Sequence, residues 1–187
     1  MAMNRRDALK SMVLMMGGTM VGANVILTGC APEDRIEGLE FSERDIAFLD
    51  EIGETIIPAT DTPGAKAVEI GSFMVLMVKD TYRKEEQEIF VKGLNTLRKD
   101  FKDQVGSDFI EASQEERLTY LNEVNEKARA EAEEREGPHY INMLKDLTVL
   151  GYFTSEIGAT KTLRYIETPG RYDSCVDYNK ESKAFAL

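Results

Sequence analysis

The chain has few of the residues that bind metals and redox cofactors. Its 187 residues include two cysteines, one histidine and no tryptophan. Two cysteines cannot form the cluster that an iron–sulfur centre needs, and no Cys-x-x-Cys-His sequence is present for covalent haem. A single histidine, His139, leaves both a multi-histidine metal site and a Ser-His-Asp triad poorly supplied. The sequence therefore indicates no redox or hydrolytic centre of its own.

Nucleotide-binding motifs and positive charge are also scarce. No Gly-x-Gly-x-x-Gly follows a strand-like segment, and no Gly-x-x-x-x-Gly-Lys-Ser/Thr occurs. The 23 Lys and Arg are outnumbered by 34 Asp and Glu, which gives a net charge of −11. This acidity argues against binding to nucleic acid and against attachment to anionic lipid by charge. Among so many carboxylates the spacing alone selects no pair, so we predict no catalytic residue.

An export signal is the clearest feature that the chain does have. Arg5 and Arg6 are followed by Lys10 and by a weakly apolar segment at residues 11–27. This order is typical of a bacterial signal sequence, and the paired arginines favour the twin-arginine form. The segment is too polar for a stable membrane span of roughly 20 apolar residues because it contains Gly17, Gly18, Thr19, Gly22 and Asn24. We expect it to be removed; a Sec lipoprotein signal and a retained anchor helix are the alternatives.

Cys30 follows a short segment of small residues that is similar to a lipobox. The pattern predicts a twin-arginine lipoprotein signal peptide at residues 1–29, a lipidated tether at 30–40 and a helical domain at 41–187. The signal carries a net +2, so the mature chain carries −13. We expect the mature protein at the periplasmic side of the cell envelope, attached to a membrane through lipid on Cys30. Cys175 is then alone and can form no intrachain disulfide.

Helical periodicity recurs through residues 42–157. Ser42 and Ser113 each begin a capping pattern, whereas Pro58 and Gly106 end apolar periodic stretches. The positions predicted to face inward are Ile46, Leu49, Ile52, Ile56, Ile70, Phe73, Met74, Met77, Val78, Phe90, Leu94, Leu97, Phe101, Leu118, Leu121, Val124, Tyr140, Ile141, Leu144, Leu147, Leu150, Gly151, Phe153, Thr154 and Ile157. No segment alternates with period two for long enough to predict a strand. We therefore predict an all-α fold, a compact bundle of about five amphipathic helices.

The segments between the helices contain two Pro-Gly turns, at residues 62–65 and 167–172. Proline at the second position and glycine at the third favour type II turns, and Asp61 is expected to cap the first of them. His139 follows Pro138 at the predicted start of the last helix, where it is expected to cap the helix or lie on the surface. The charged residues 126–136 predict a solvated helical extension or a mobile arm, with a docking surface as the alternative.

Three segments resemble the gluconate 2-dehydrogenase subunit 3 family. They are residues 54–65 (ETIIPATDTPGA), 147–156 (LTVLGYFTSE) and 163–170 (LRYIETPG). They occur in the family's order and bracket residues 42–178. The resemblance implies a small accessory subunit, often with a twin-arginine leader, that accompanies a large flavin-containing dehydrogenase of the glucose–methanol–choline type. In some complexes of this family a cytochrome subunit passes electrons to quinone. The lipobox departs from the best-known members.

The resemblance and the leader together predict a non-catalytic small subunit that provides export and membrane attachment for a sugar or polyol dehydrogenase. This chain is expected to bind no cofactor, and FAD is expected in the large subunit. The candidate contacts with the partner are Asp61, Pro63, Gly64, Tyr152, Phe153, Tyr165 and Tyr172. The alternative is a free-standing envelope lipoprotein that binds a ligand or another protein.

Overall fold

A computed structural model of the chain describes residues 38–187 apart from 134–136, 169, 172–174, 176, 178, 181 and 187. Arg5, Arg6, Cys30 and Tyr172 therefore lie outside the described residues. The described residues form five α-helices: α1 (Glu43–Ile56), α2 (Ile70–Thr81), α3 (Lys84–Val105), α4 (Gln114–Ala130) and α5 (Tyr140–Thr154). This mostly helical structure confirms the predicted all-α class. None of these helices is long and apolar enough to cross a membrane.

Short elements fill part of the remaining chain. A 3₁₀-helix at Ala65–Val68 precedes α2, and a π-helix at Gly158–Thr162 follows α5. The strands β1 (Arg164–Tyr165) and β2 (Phe185–Ala186) pair in parallel, with Arg164 opposite Phe185. The sequence did not predict this pair, because two residues are too few to show an alternating pattern.

The helix ends lie where local side chains satisfy the free backbone groups. The Ser42 hydroxyl accepts a hydrogen bond from the amide of Asp45, whose carboxylate accepts one from the amide of Ser42 in return. Ser113 and Glu116 form the same reciprocal pair at the start of α4. Gly106 ends α3 with a φ of 84°, a left-handed conformation that glycine adopts readily. These contacts confirm the predicted helix boundaries.

The last helix begins at Tyr140, two residues later than predicted. His139 is its N-cap, and the Nδ1 atom of its ring accepts a hydrogen bond of 3.1 Å from the amide of Ile141. This confirms the predicted capping role of His139. In the charged stretch, α4 ends at Ala130 and residues 131–133 form a turn, so the helical extension is shorter than predicted.

The core lies where the five helices meet. Its fully buried side chains include Phe48, Leu49, Ile52, Ile70, Met74, Phe90, Leu97, Phe101, Phe109, Ile141, Leu144 and Tyr152. Helix α2 packs against both α1 and α5. At Gly151 a side chain is impossible without movement, because a Cβ there would lie 2.5 Å from the Cδ1 atoms of Ile70 and Phe73. The glycine therefore lets α2 and α5 approach closely.

Two leucines predicted to face inward are instead exposed. Leu118 on α4 is 46% exposed and Leu150 on α5 is 45% exposed. On α4, the neighbouring Arg117 occupies the inward position and is only 8% exposed, which turns Leu118 outward. The prediction for Leu118 was wrong because apolar spacing alone cannot identify a buried arginine. Thr154, at the end of α5, is also exposed rather than inward.

Candidate functional site

Two of the three segments that resemble the family, residues 54–65 and 147–156, meet at the side chain of Tyr152, which is 1% exposed. Its hydroxyl donates a hydrogen bond of 2.5 Å to the backbone carbonyl of Pro63. The hydroxyl of Thr162 lies 2.7 Å from the same oxygen. Since a phenol has only one hydrogen, Thr162 donates in this second bond. We call this arrangement the Tyr152 junction; it connects residues 57–64, α5 and the π-helix.

One carboxylate holds residues 57–64, which we call the Pro63 loop. Glu54, near the end of α1, accepts hydrogen bonds of 2.9 Å from the amides of Ala59 and Lys66. A backbone bond of 2.9 Å from the Ala65 amide to the Ile57 carbonyl closes the loop at its base. Three hydrogen bonds, two of them to a carboxylate, thus fix both the entry and the exit of the loop.

Gly64 is required by close packing and not by the predicted type II turn. That turn needs a positive φ at its third position, whereas the φ of Gly64 is −81°. A Cβ at this position would overlap the carboxylate of Glu54 and lie 2.5 Å from the amide nitrogen of Ala59. The prediction of a type II turn at residues 62–65 was therefore wrong, and the glycine makes room for the Glu54 carboxylate.

The described candidate contact residues differ in how far they reach solvent. Gly64 and Tyr152 are buried, Pro63 and Phe153 are partly buried, and Asp61 and Tyr165 are exposed. The structure brings Pro63, Gly64 and Tyr152 together, and the ring of Phe153 packs edge-to-face on Tyr152 with 5.2 Å between centroids. Of the described set, only Asp61 and Tyr165 are exposed, Tyr165 to 49%.

A family model for gluconate 2-dehydrogenase subunit 3 matches residues 43–170, which is more than half of the chain. The chain belongs to this family. The match begins at α1 and includes all five described α-helices, so the family likeness extends over the whole helical bundle. The family name indicates a subunit of a multi-subunit gluconate 2-dehydrogenase complex, which makes this chain an accessory subunit of a dehydrogenase complex. No curated protein and no solved structure matches the chain significantly.

A buried ion network lies next to the Pro63 loop of this subunit 3 family member. Glu51 on α1 is 9% exposed and pairs with both Arg117 on α4 and Lys66 after the loop. Arg117 also donates a hydrogen bond of 2.7 Å to the carbonyl of Ile110. Burial alone would raise the pKa of Glu51, but the two cations outweigh it and hold the pKa below its usual value. The network joins α1, the 3₁₀-helix that follows the loop, and α4.

The sequence did not point to this network. Glu51 and Arg117 are 66 positions apart, and each lies in a helix that contains other charged residues of both signs. The available signal was that Arg117 lies three and four positions before Tyr120 and Leu121, which are both buried. That spacing alone cannot distinguish a buried arginine from one at the edge of an apolar stripe.

A second tertiary contact sets the start of α2. Glu69, its N-cap residue, has a φ of 52° and makes no side-chain cap. The carboxylate of Asp50 on α1 takes over this role by accepting a hydrogen bond of 2.7 Å from the amide of Gly71. Burial raises the pKa of Asp50 above its usual value, and the Gly71 amide opposes that shift. A carboxylate from α1 thus caps α2.

The hydrogen bonds and ion pairs of this site hold helices and loops together. Within the described residues, no group of three or more His, Cys, Asp or Glu is placed to hold a metal ion. The described part of the chain also contains no strand–helix–strand unit with a Gly-rich turn, so it does not provide this type of FAD site.

Proposed function

We propose that this chain is the non-catalytic small subunit of a flavin-dependent sugar or polyol dehydrogenase of the glucose–methanol–choline type. In this proposal it binds the folded catalytic subunit in the cytoplasm and carries it through the twin-arginine route. It then holds the enzyme at the periplasmic side of a membrane through lipid on Cys30. A cytochrome subunit, if present, acts as electron acceptor and is not needed as an anchor.

One combination of features carries the proposal. Arg5 and Arg6 form a signal for the export of folded proteins, yet the chain has no cofactor motif that would require folding before export. Membership of the subunit 3 family supplies the reason, because a subunit of a dehydrogenase complex has a partner. The signal therefore serves a catalytic subunit that carries FAD and lacks a signal of its own. The family name does not identify gluconate as the substrate.

Replacing Arg5 and Arg6 together with lysine tests the export step. We expect the flavin-containing dehydrogenase to remain in the cytoplasm with the variant, because the twin-arginine pair is lost while the charge is kept. Arg35→Lys, which lies after the predicted signal, is the matched control and should leave export unchanged. The amount of dehydrogenase in periplasmic and cytoplasmic fractions is the measurement. Normal export of the dehydrogenase with the double variant would contradict the proposal.

Replacing Cys30 with serine tests the anchoring step separately. We expect the variant and its dehydrogenase to appear together in the soluble periplasmic fraction, because the thiol that takes the lipid is gone. Cys175→Ser, at an exposed position, is the control and should leave both proteins on the membrane. If the wild-type chain purifies from native membranes without any flavoprotein, it is a free-standing lipoprotein instead.

A further inference from the structure

Three large apolar side chains on two neighbouring helices lie half exposed. Leu76 on α2 is 57% exposed, and Val149 and Leu150 on α5 are 48% and 45% exposed. Phe73 lies one turn before Leu76 on α2, and its ring lies over Gly151, the residue after Leu150. The exposed side chains therefore lie on the outer side of one packed helix pair. We call Leu76, Val149 and Leu150 the α2/α5 face.

The core does not explain why these residues are apolar. In the family-like segment 147–156, Leu147 and Tyr152 point inward and are 2% and 1% exposed. Val149 and Leu150 lie between them in sequence, on the solvent side of α5. Isolated exposed leucines are normal on protein surfaces, whereas a group on two adjacent helices marks an interaction site.

Charge is depleted on the same two helices. The sequence of α2 has one basic and one acidic residue, and so does that of α5, so each has no net charge. By contrast, α3 has ten charged residues in 22 positions. Residues 38–157 contain 14 Lys and Arg against 26 Asp and Glu, a net −12. An apolar group on two helices without net charge, in a domain that is acidic as a whole, has the composition of a protein–protein interface core.

We propose that the α2/α5 face is the surface through which this chain binds the large flavin-containing subunit. The inference rests on the proposed function above. The partner is expected to present an apolar patch, because the face is apolar and lies on two helices without net charge. The acidity of the domain as a whole favours a partner of positive charge.

Charge also argues against the other occupants of such a face. A second copy would bring two chains of net charge −11 together, which their mutual repulsion opposes. A membrane surface is also a poor fit, since helices that lie on anionic lipid are rich in Lys and Arg on their polar face. Each of these two helices has a single basic residue, Lys79 on α2 and Lys145 on α5.

The Tyr152 junction has a defined role in this arrangement. Tyr152 lies on the inward side of α5, where its bonds to Pro63 and Thr162 fix the helix to the Pro63 loop and the π-helix. Val149 and Leu150 precede it by three and two residues, respectively, on the outward side. The junction therefore holds the face in a fixed orientation without contacting the partner.

The test introduces charge into the face of the full-length chain. Leu76→Glu combined with Leu150→Glu should lower the flavin recovered per small subunit from native membranes by about tenfold or more, because a buried interface would have to desolvate two carboxylates. Thr96→Glu, an equal charge change per site at an exposed position of α3, is the control and should retain flavin. Since the substituted side chains are exposed, circular dichroism and thermal melting should remain close to wild type.

The outcomes separate this inference from the proposed function. If wild-type chain recovers no flavoprotein, both fail. If wild type and the double variant recover the same flavin, only the assignment of the face fails. Sedimentation of the purified proteins tests the alternative of self-association. If the wild-type chain is a dimer, and the double variant is a monomer that retains flavin, the face binds a second copy. That result would overturn the proposal.

Discussion

The hydroxyl of Tyr152 donates a hydrogen bond of 2.5 Å to the carbonyl of Pro63, which lies 89 residues earlier in the chain. The bond connects the last long helix to a loop that follows the first. It forms within a buried site, where an unmade hydrogen bond is costly. The bond therefore helps to set the position of the Pro63 loop relative to α5.

Tyr152→Phe removes this hydroxyl and keeps the ring. We expect the free energy of unfolding to fall by about 1–2 kcal/mol, because the carbonyl of Pro63 and the hydroxyl of Thr162 each lose a partner. The melting temperature should fall by about 2–8 °C, measured by circular dichroism. Tyr165→Phe changes an exposed tyrosine and should shift it far less. Equal shifts in the two variants would show that the junction contributes nothing.

Glu54→Gln tests how the Pro63 loop is held. A carboxamide has one oxygen, so either the Ala59 or the Lys66 amide loses its acceptor, at a cost of about 1–3 kcal/mol. Urea unfolding measures that cost, and hydrogen exchange at the two amides should become faster. Glu40→Gln, at an exposed position before α1, is the control. Unchanged exchange at both amides would contradict the role given to Glu54.

Gly93→Ala tests whether α3 and α5 pack as closely as the structure shows, because the substitution raises helix propensity but adds a Cβ at the contact. Alanine favours the interior of α3 by about 1 kcal/mol over glycine, but its Cβ would overlap the Cβ and ring carbons of Tyr140. We expect a net destabilisation of about 1–3 kcal/mol in urea unfolding. Asn95→Ala, exposed on the same helix, should be neutral or slightly stabilising. A stabilised Gly93→Ala protein would mean that α3 and α5 are further apart than described.

Glu51→Gln tests the buried ion network. The change leaves buried Arg117 without its counter-charge, which typically costs about 3–5 kcal/mol at neutral pH. Lys66→Met should cost much less, because the Lys66 side chain is 54% exposed. Combining Glu51→Gln with Arg117→Met should cost less than Glu51→Gln alone, since no unpaired charge then remains buried. Additive costs in the double variant would contradict this account.

The same residue makes part of the stability depend on pH. The folded-state pKa of Glu51 lies below its ordinary value of 4.5, so its contribution is complete above that value. It is lost as the pH falls through the lowered folded-state pKa, because protonation weakens its ion pairs. The stability difference between wild type and Glu51→Gln should therefore shrink in acid, measured by urea unfolding down to about pH 3. A constant difference would mean that Glu51 does not titrate as described.

Features within one turn of helix were predictable from the sequence. Ser42, Ser113, His139 and Gly106 lie at helix ends as predicted, because a cap involves residues that are two to four positions apart. The apolar stripes of α1 to α3 were predictable in the same way, from residues at short spacings. The prediction for Leu118 was wrong because Arg117 turns inward to pair with Glu51, which is distant in the sequence.

The candidate site was only partly predictable for the same reason. The family-like segments identified Pro63, Gly64 and Tyr152, but not the hydrogen bond that joins them. A type II turn was predicted at Gly64 because it follows Pro63. In the structure, a glycine is required there because any side chain would overlap the carboxylate of Glu54. The α2/α5 face was hidden because an apolar residue at helical spacing looks the same in sequence whether it faces the core or solvent.

The sequence by itself determined the helical class, the helix ends and the family, because each depends on residue types at short, fixed spacings. The tertiary structure decided which residues work together: Tyr152 with Pro63, Glu51 with Arg117, and Asp50 with the start of α2. It also decided that Leu76 and Leu150 face solvent on adjacent helices. Those relationships depend on how helices pack, and packing joins positions whose separation in the chain carries no signal of their contact.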